Sequence, residues 1–187
     1  MRKKDDNKMQ NIKKAVIQMV QQEGLHGASV SKIAKAAGVS PATVYIYYVN
    51  KDAMLRDIYL EYAEQAINDT LDKIRDDMDG EEIIEKLIDN YYTHIMNNQE
   101  EFRYTEQYSP CSILLSGCAA LGGMNRMYRL FTEMKERHIF DELSNEVIYS
   151  VLLSPTKDIA LRKGTLVQSE AYIEELVKVA QNSLLIR

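Results

Sequence analysis

The stretch SVSKIAKAAGVSPATVYIYYVNK, residues Ser29–Lys51, is where local signals dictate a shape. Ser29 is suited to cap a helix, its hydroxyl taking a free amide of the first turn, and Val30, Ile33, Ala34 and Ala37 recur on one helical face. Gly38 follows, where a left-handed residue ends a helix without a Cβ penalty, and Ser40-Pro41 then supplies a cap and a proline at the first helical position. The second helix runs from Ala42 to Tyr48, with Val44 and Tyr48, four apart, as its core contacts. Ala42, Thr43, Tyr45 and Tyr47 are left facing outward and need a partner.

Two short helices around a glycine turn, the second with a small, hydroxylated and aromatic outer face, form the arrangement that lays a helix in the DNA major groove. On this pattern alone an ordinary helical hairpin stays equally open. The wording is more specific. The run IAKAAGVSPATVYIYYVNKDAML resembles the N-terminal signature of the TetR family of bacterial transcriptional regulators, IA-x-x-AGVS-x-x-T-[LV]-Y-x-[HY]-[FY]-x-[SN]-K-[DE]-x-[LM], at nearly every fixed position. The departures are Tyr48, where phenylalanine is commoner, and Ala42, where glycine or proline is frequent. The resemblance is specific over Ile12–Leu55 and architectural beyond it.

The 187 residues, 45% apolar and 27% charged, describe a globular chain able to bury a core. No apolar run approaches bilayer length and no hydrophobic block follows the charged N-terminus, so no membrane anchor or signal peptide is expected and the location is read as cytoplasmic. Two cysteines, Cys111 and Cys118, are too few for a disulfide scaffold and fit a reducing compartment. The net charge of −5 is unevenly spread. Residues 1–56 hold ten Lys and Arg against four Asp and Glu, a net +6, whereas residues 57–187 hold thirteen against twenty-four, a net −11. A basic head suits phosphate binding, and an acidic body discourages unspecific adhesion to DNA.

Along the chain, residues 1–8 read as a mobile arm and Met9–Gln22 as an amphipathic helix with Ile12, Ala15, Val16, Met19 and Val20 inside, Lys13 and Lys14 outside, and Gly24 at its end. After Asn50, a cap with Asp52 in the following turn, a long helix is expected from Asp52 to Ile74. Glu81–Asn97 should be a buried helix and Glu100–Tyr108 a short one closed by Pro110. Cys111–Met124, rich in small residues, reads as a helix or a loop, and Met124–His138 resumes helical spacing. Two final helices are expected from Ser144 to about Lys163 and from about Ser169 to Leu185, the first kinked or divided by Pro155.

No enzymatic constellation is present: there is no HExxH, no G-x-S-x-G and no histidine cluster, and the run Gly117–Gly123 lacks the lysine and hydroxyl residue of a phosphate loop. Neither a catalytic residue, a cofactor nor a metal is expected. The cysteines read as structural thiols, with sensing as the alternative. Tyr91, Tyr92, Met96, Tyr104, Tyr108, Met124, Met127, Tyr128 and Tyr149 supply the aromatic and methionine surface that suits either a ligand pocket or ordinary core.

The TetR resemblance implies an all-α chain: a helix-turn-helix DNA-binding domain over residues 1–51, joined by a long helix to an effector-binding and dimerisation domain over residues 52–187. It implies a homodimeric repressor on a palindromic double-stranded operator, released by a small apolar or aromatic effector held in the body. A DNA-binding partner or architectural protein governed by another protein is the alternative. By position, Ala42 and Thr43 should meet base edges or a thymine methyl, and Tyr45, Tyr47 and Lys51 phosphates, with Ser31 and Ser40 as further contacts. Ile148 and Leu152, with Ile173, Leu176, Val177, Ala180 and Leu184, form stripes suited to a four-helix dimer interface or to the monomer core.

Overall fold

A computed structural model describes residues 6–108, 122–162 and 166–186. Cys111, Cys118, Pro110 and the run from Gly117 to Leu121 lie outside them. Among the described residues there are nine α-helices and no strand, with one isolated antiparallel bridge between Phe140 and Leu185. The contacts divide the chain into two units, residues 1–63 with 99–117, and residues 64–98 with 118–187.

The first unit opens with α1, Asp6–Gly27, which starts three residues earlier than the periodicity predicts and carries Asp6 in its first turn, where the helix dipole favours a carboxylate. Gly24 breaks it with φ 73° and ψ 174°, a backbone state that only glycine adopts without strain. Helix α2, Val30–Ala36, is capped by Ser29, whose hydroxyl accepts the Lys32 amide, and α3, Pro41–Tyr47, is capped by Ser40 with Pro41 in its first turn. Gly38 turns between them at φ 67°. Helix α4, Lys51–Thr70, starts with the Asn50 side chain accepting the Ala53 amide at 2.8 Å.

Ile12, Val16, Ile17 and Val20 of α1 pack with Ile33, Val44 and Tyr48, and with Met54, Leu55 and Ile58 of α4. Helix α6, Gln99–Tyr108, completes this core. Its Tyr104 hydroxyl donates to the Leu55 carbonyl at 2.6 Å, and Tyr108 stacks on Tyr59 with ring centroids 4.8 Å apart. Lys13, expected outside, is buried at 3% exposure. Its ammonium meets the Glu61 carboxylate at 2.5 Å, a partner 48 residues away that local periodicity does not reveal.

In the second unit, α5, Gly80–Asn97, opens with a reciprocal capping box between Asp79 and Glu82 and buries Ile83, Ile84, Leu87, Ile88, Tyr91 and Ile95. Helix α7 is Gly122–Glu136, α8 is Asn145–Leu161 and α9 is Leu166–Leu184, and α5 packs against both α8 and α9. Two expectations need correction. The helix predicted to run to Ile74 stops at Thr70, because the Asn90 side-chain amide of α5 donates to the Thr70 and Asp72 carbonyls at 3.1 and 2.7 Å and Lys73 turns to a left-handed φ of 60°. Pro155, expected to kink or divide the helix, leaves α8 one continuous element. Buried Leu152, Leu153, Thr156 and Ala160 lie on both sides of the proline, and packing holds the two halves together.

Gly122 and Gly123, read as part of an ambiguous run, form the first turn of α7. The Gly123 amide donates to Glu64 Oε1 of α4 at 2.8 Å, and a Cβ at Gly123 would lie 2.9 Å from the Ile67 side chain, so only glycine permits this approach.

Candidate nucleic-acid interface

Helix α3 carries the residues with the strongest claim to touch DNA. Its geometry starts at the cap: Ser40 Oγ accepts the Thr43 amide at 3.1 Å and lies 2.9 Å from the Thr43 hydroxyl, so the first turn is fixed by two contacts before any DNA arrives. Val44 and Tyr48 are buried in the core beneath, as their spacing predicts, and this anchors the opposite face outward. Ala42 is exposed, Thr43 half-buried, Tyr45 55% exposed and Tyr47 half-buried against the core. Ser31 is exposed in the first turn of α2. Lys51, at the start of α4, reaches the His26 carbonyl at 3.4 Å, which holds its stem beside the end of α1. All seven residues singled out in the sequence thus lie on α2, on α3 with its cap, and at the start of α4.

Sequence reasoning passed over Ile46, 50% exposed, and Val49, 85% exposed. Ile46 occupies a variable position of the motif, so pattern matching skips it, yet the helical wheel alone sets it opposite the buried Val44. Beneath the helix lies a tyrosine-rich wall. Burial, with Glu61 and then Asp57 and Tyr62 adding to it, pushes the Tyr48 hydroxyl up to about 12. Burial, then Glu101 and Glu61, pushes Tyr62 up to about 12. Tyr104 is raised further, by burial first and then by Tyr108, Tyr48 and Tyr62.

The residues read as a ligand pocket are not gathered in one place. Tyr104 and Tyr108 belong to the core of the first unit, whereas Tyr91, Tyr92, Met96, Met124, Met127, Tyr128 and Tyr149 belong to the second, with Tyr91 and Met127 buried. Of the nine, Tyr92 lines an open groove of about 670 Å³ between α5 and α9. Ile173 and Val177 give this groove apolar surface, Glu85, Asp89, Glu170 and Glu174 line it with carboxylates, and Lys178 adds one ammonium. Burial, then Glu85, raises the Asp89 carboxyl above its ordinary value, with Lys86 opposing. The Tyr92 hydroxyl is buried without a hydrogen-bond partner.

The stripes read as a dimer interface face inward. Ile148, Leu152, Ile173, Val177, Ala180 and Leu184 are buried within the single chain and Leu176 is half-buried, because α8 and α9 need that side to pack on α5. Among the described side chains, the large apolar ones these helices leave exposed are Val147, Tyr172 and Val179. Among the described residues no group of three or more His, Cys, Asp or Glu side chains is placed to hold a metal ion, and no helix is long and apolar enough to cross a membrane.

A capped second helix with an outward hydroxyl and aromatic face, on a head of net positive charge, defines a helix-turn-helix DNA-binding regulator. Residues 12–58 match the family model of bacterial regulatory proteins, tetR family, so the head of this chain is that of a TetR-type transcriptional regulator. It is similar to the uncharacterized HTH-type transcriptional regulator YvdT of Bacillus subtilis, 29% identical over 156 residues that span 79% of this chain and 73% of the relative. It is also similar to the fatty acid metabolism regulator protein of Bacillus subtilis, 32% identical over 93 residues, 50% of this chain and 47% of that protein. The fold matches the crystal structure of a TetR family transcription regulator from Marinobacter aquaeolei VT8 with a TM-score of 0.82, 24% identity and full coverage of both chains. A TetR-family regulator from Haemophilus influenzae matches with a TM-score of 0.84 at 16% identity, covering 96% of this chain and 99% of that one.

Proposed function

We propose that this regulator is a homodimeric repressor that binds a palindromic operator and leaves it when a small apolar or aromatic effector enters the body. In this reading residues 1–51 read the DNA, and residues 52–187 take the effector and join the two protomers. The observation that carries it is α3, whose capped first turn presents Ala42, Thr43, Tyr45 and Tyr47 to a partner while Val44 and Tyr48 lock its other side into the core. Base contact falls to Ala42 and Thr43, and phosphate contact to Tyr45, Tyr47, Lys51, Ser31 and Ser40. Dimerisation supplies two such helices, which meet successive major grooves about 34 Å apart, and a small change in their separation ends the fit.

The groove beside Tyr92 supports an effector with an apolar or aromatic part and a positive charge, since Ile173 and Val177 lie among four carboxylates. A free fatty acid, suggested by the name of one relative, would bring its carboxylate against Glu85, Asp89, Glu170 and Glu174, four like charges against the one ammonium of Lys178. The groove's open form favours a second reading, control by another protein without a small molecule.

Selection of duplexes from a random pool, followed by sedimentation of the complex, tests the first part. An enriched inverted repeat bound by two protomers is expected, and no enrichment overturns the reading. Thermal shift with aromatic cations, neutral aromatics and fatty acids tests the second. A ligand that both raises Tm and releases the selected duplex supports effector control, and release by none of them favours a protein partner.

A further inference from the structure

On α3, successive residues are turned by about 100°, so Ile46 lies about 160° from the buried Val44, two residues earlier. It points directly away from the core, and at 50% exposure it puts a large apolar side chain on the surface of a head with net positive charge. Ala42, one turn earlier, is exposed on the same side and has no bulk to hide it. Tyr45 and Tyr47 stand about 100° to either side, turned toward the walls of a groove whose floor Ile46 would face. A hydrocarbon side chain cannot bind phosphate, and the one apolar group on the major-groove edge of a base pair is the C5-methyl of thymine.

We propose that Ile46 is a specificity-determining residue that packs on a thymine methyl at the floor of the major groove, making this regulator prefer T·A at that position. This rests on the DNA-binding reading and adds a residue and a base preference to it. Each lost methyl contact should weaken binding about fourfold.

The test uses the full-length protein and the duplex it selects from a random pool, with each thymine replaced in turn by deoxyuridine, which pairs identically and lacks only the methyl. For the wild type, one replacement per recognition helix should weaken binding roughly fourfold or more. Ile46→Ala should bind the parent duplex more weakly and show no further loss at that same thymine. Ile46→Gln, which keeps the length and adds an amide, should select a different base there. Ile46 is exposed enough that circular dichroism should show unchanged helix content in both variants. Selection of an identical sequence by both variants, or wild-type indifference to every deoxyuridine, overturns the assignment while leaving DNA binding intact. Failure of the wild type to select any sequence removes the DNA-binding reading as well.

Discussion

Lys13 and Lys51 are both lysines of the head, and their surroundings set them to opposite tasks. Lys13 is buried against Glu61, whose own side chain is half exposed, so the pair ties α1 to α4 with one end in water. Glu61→Ala should cost about 2 kcal/mol, below the range for fully buried pairs, because it strands a buried ammonium; Lys13→Met, which removes the charge and keeps the stem, should cost less than about 1 kcal/mol. Urea unfolding compares the two, and equal losses would refute the argument. Lys51 is accessible, and Lys51→Ala should weaken all duplexes alike and reduce the slope of log K against log salt by about 0.9. Thr43→Val should instead change which sequence is preferred, as read by competition between duplexes. Ser40→Ala removes the cap that positions Thr43 and should cost about 1 kcal/mol in stability, measured in the same urea series.

At the scale of helices, the sequence signals worked where the cause is local. Ser29, Gly38, Ser40, Pro41 and Asn50 each act through groups within four residues, so the caps of the two short helices and of α4 were legible, and the bounds fell within one residue at the starts of α3 and α4. The end of α4 was not, since its terminator is Asn90, twenty residues on. Asn90→Ala should leave the Thr70 and Asp72 carbonyls without their donor, at a cost of about 1–3 kcal/mol, and should speed amide exchange at the end of α4. Exchange rates unchanged across Leu71–Ile74 would show that the turn is held by something else. Gly123 follows the same logic: an apparently flexible glycine run turns out to be a close approach to Ile67 that no periodicity announces.

At the scale of the whole molecule, the helix-turn-helix head was legible and the body was not, and the difference is physical. DNA imposes a fixed charge, groove width and helix placement, so few sequences meet its demands, whereas the body must only pack. Stripes of apolar residues in α8 and α9 fit a monomer core as well as an interface, and Ile148 and Ala180 are buried within one chain. A titration tests the surroundings of Tyr48 and Tyr62. Tyr48 and Tyr62 keep their protons up to about 12 when folded, while an unfolded chain loses them near its ordinary value of 10.0, so the folded state binds more protons in between. The stability they contribute is complete below 10 and declines as pH rises from there toward 12. Absorbance at the tyrosinate band should therefore show a delayed fraction that appears together with loss of helix, and complete titration before any unfolding would contradict the burial of these rings.

The aromatic wall made by α6 also has a meaning in time. Residues 64–98 separate it from the rest of the unit it completes, and they are synthesised first. A nascent chain that has delivered α1 to α3 to the ribosome exit still lacks Tyr104 to bond the Leu55 carbonyl and Tyr108 to cover Tyr59. Half-made copies therefore hold α3 on a core that is completed only after α6 has been made.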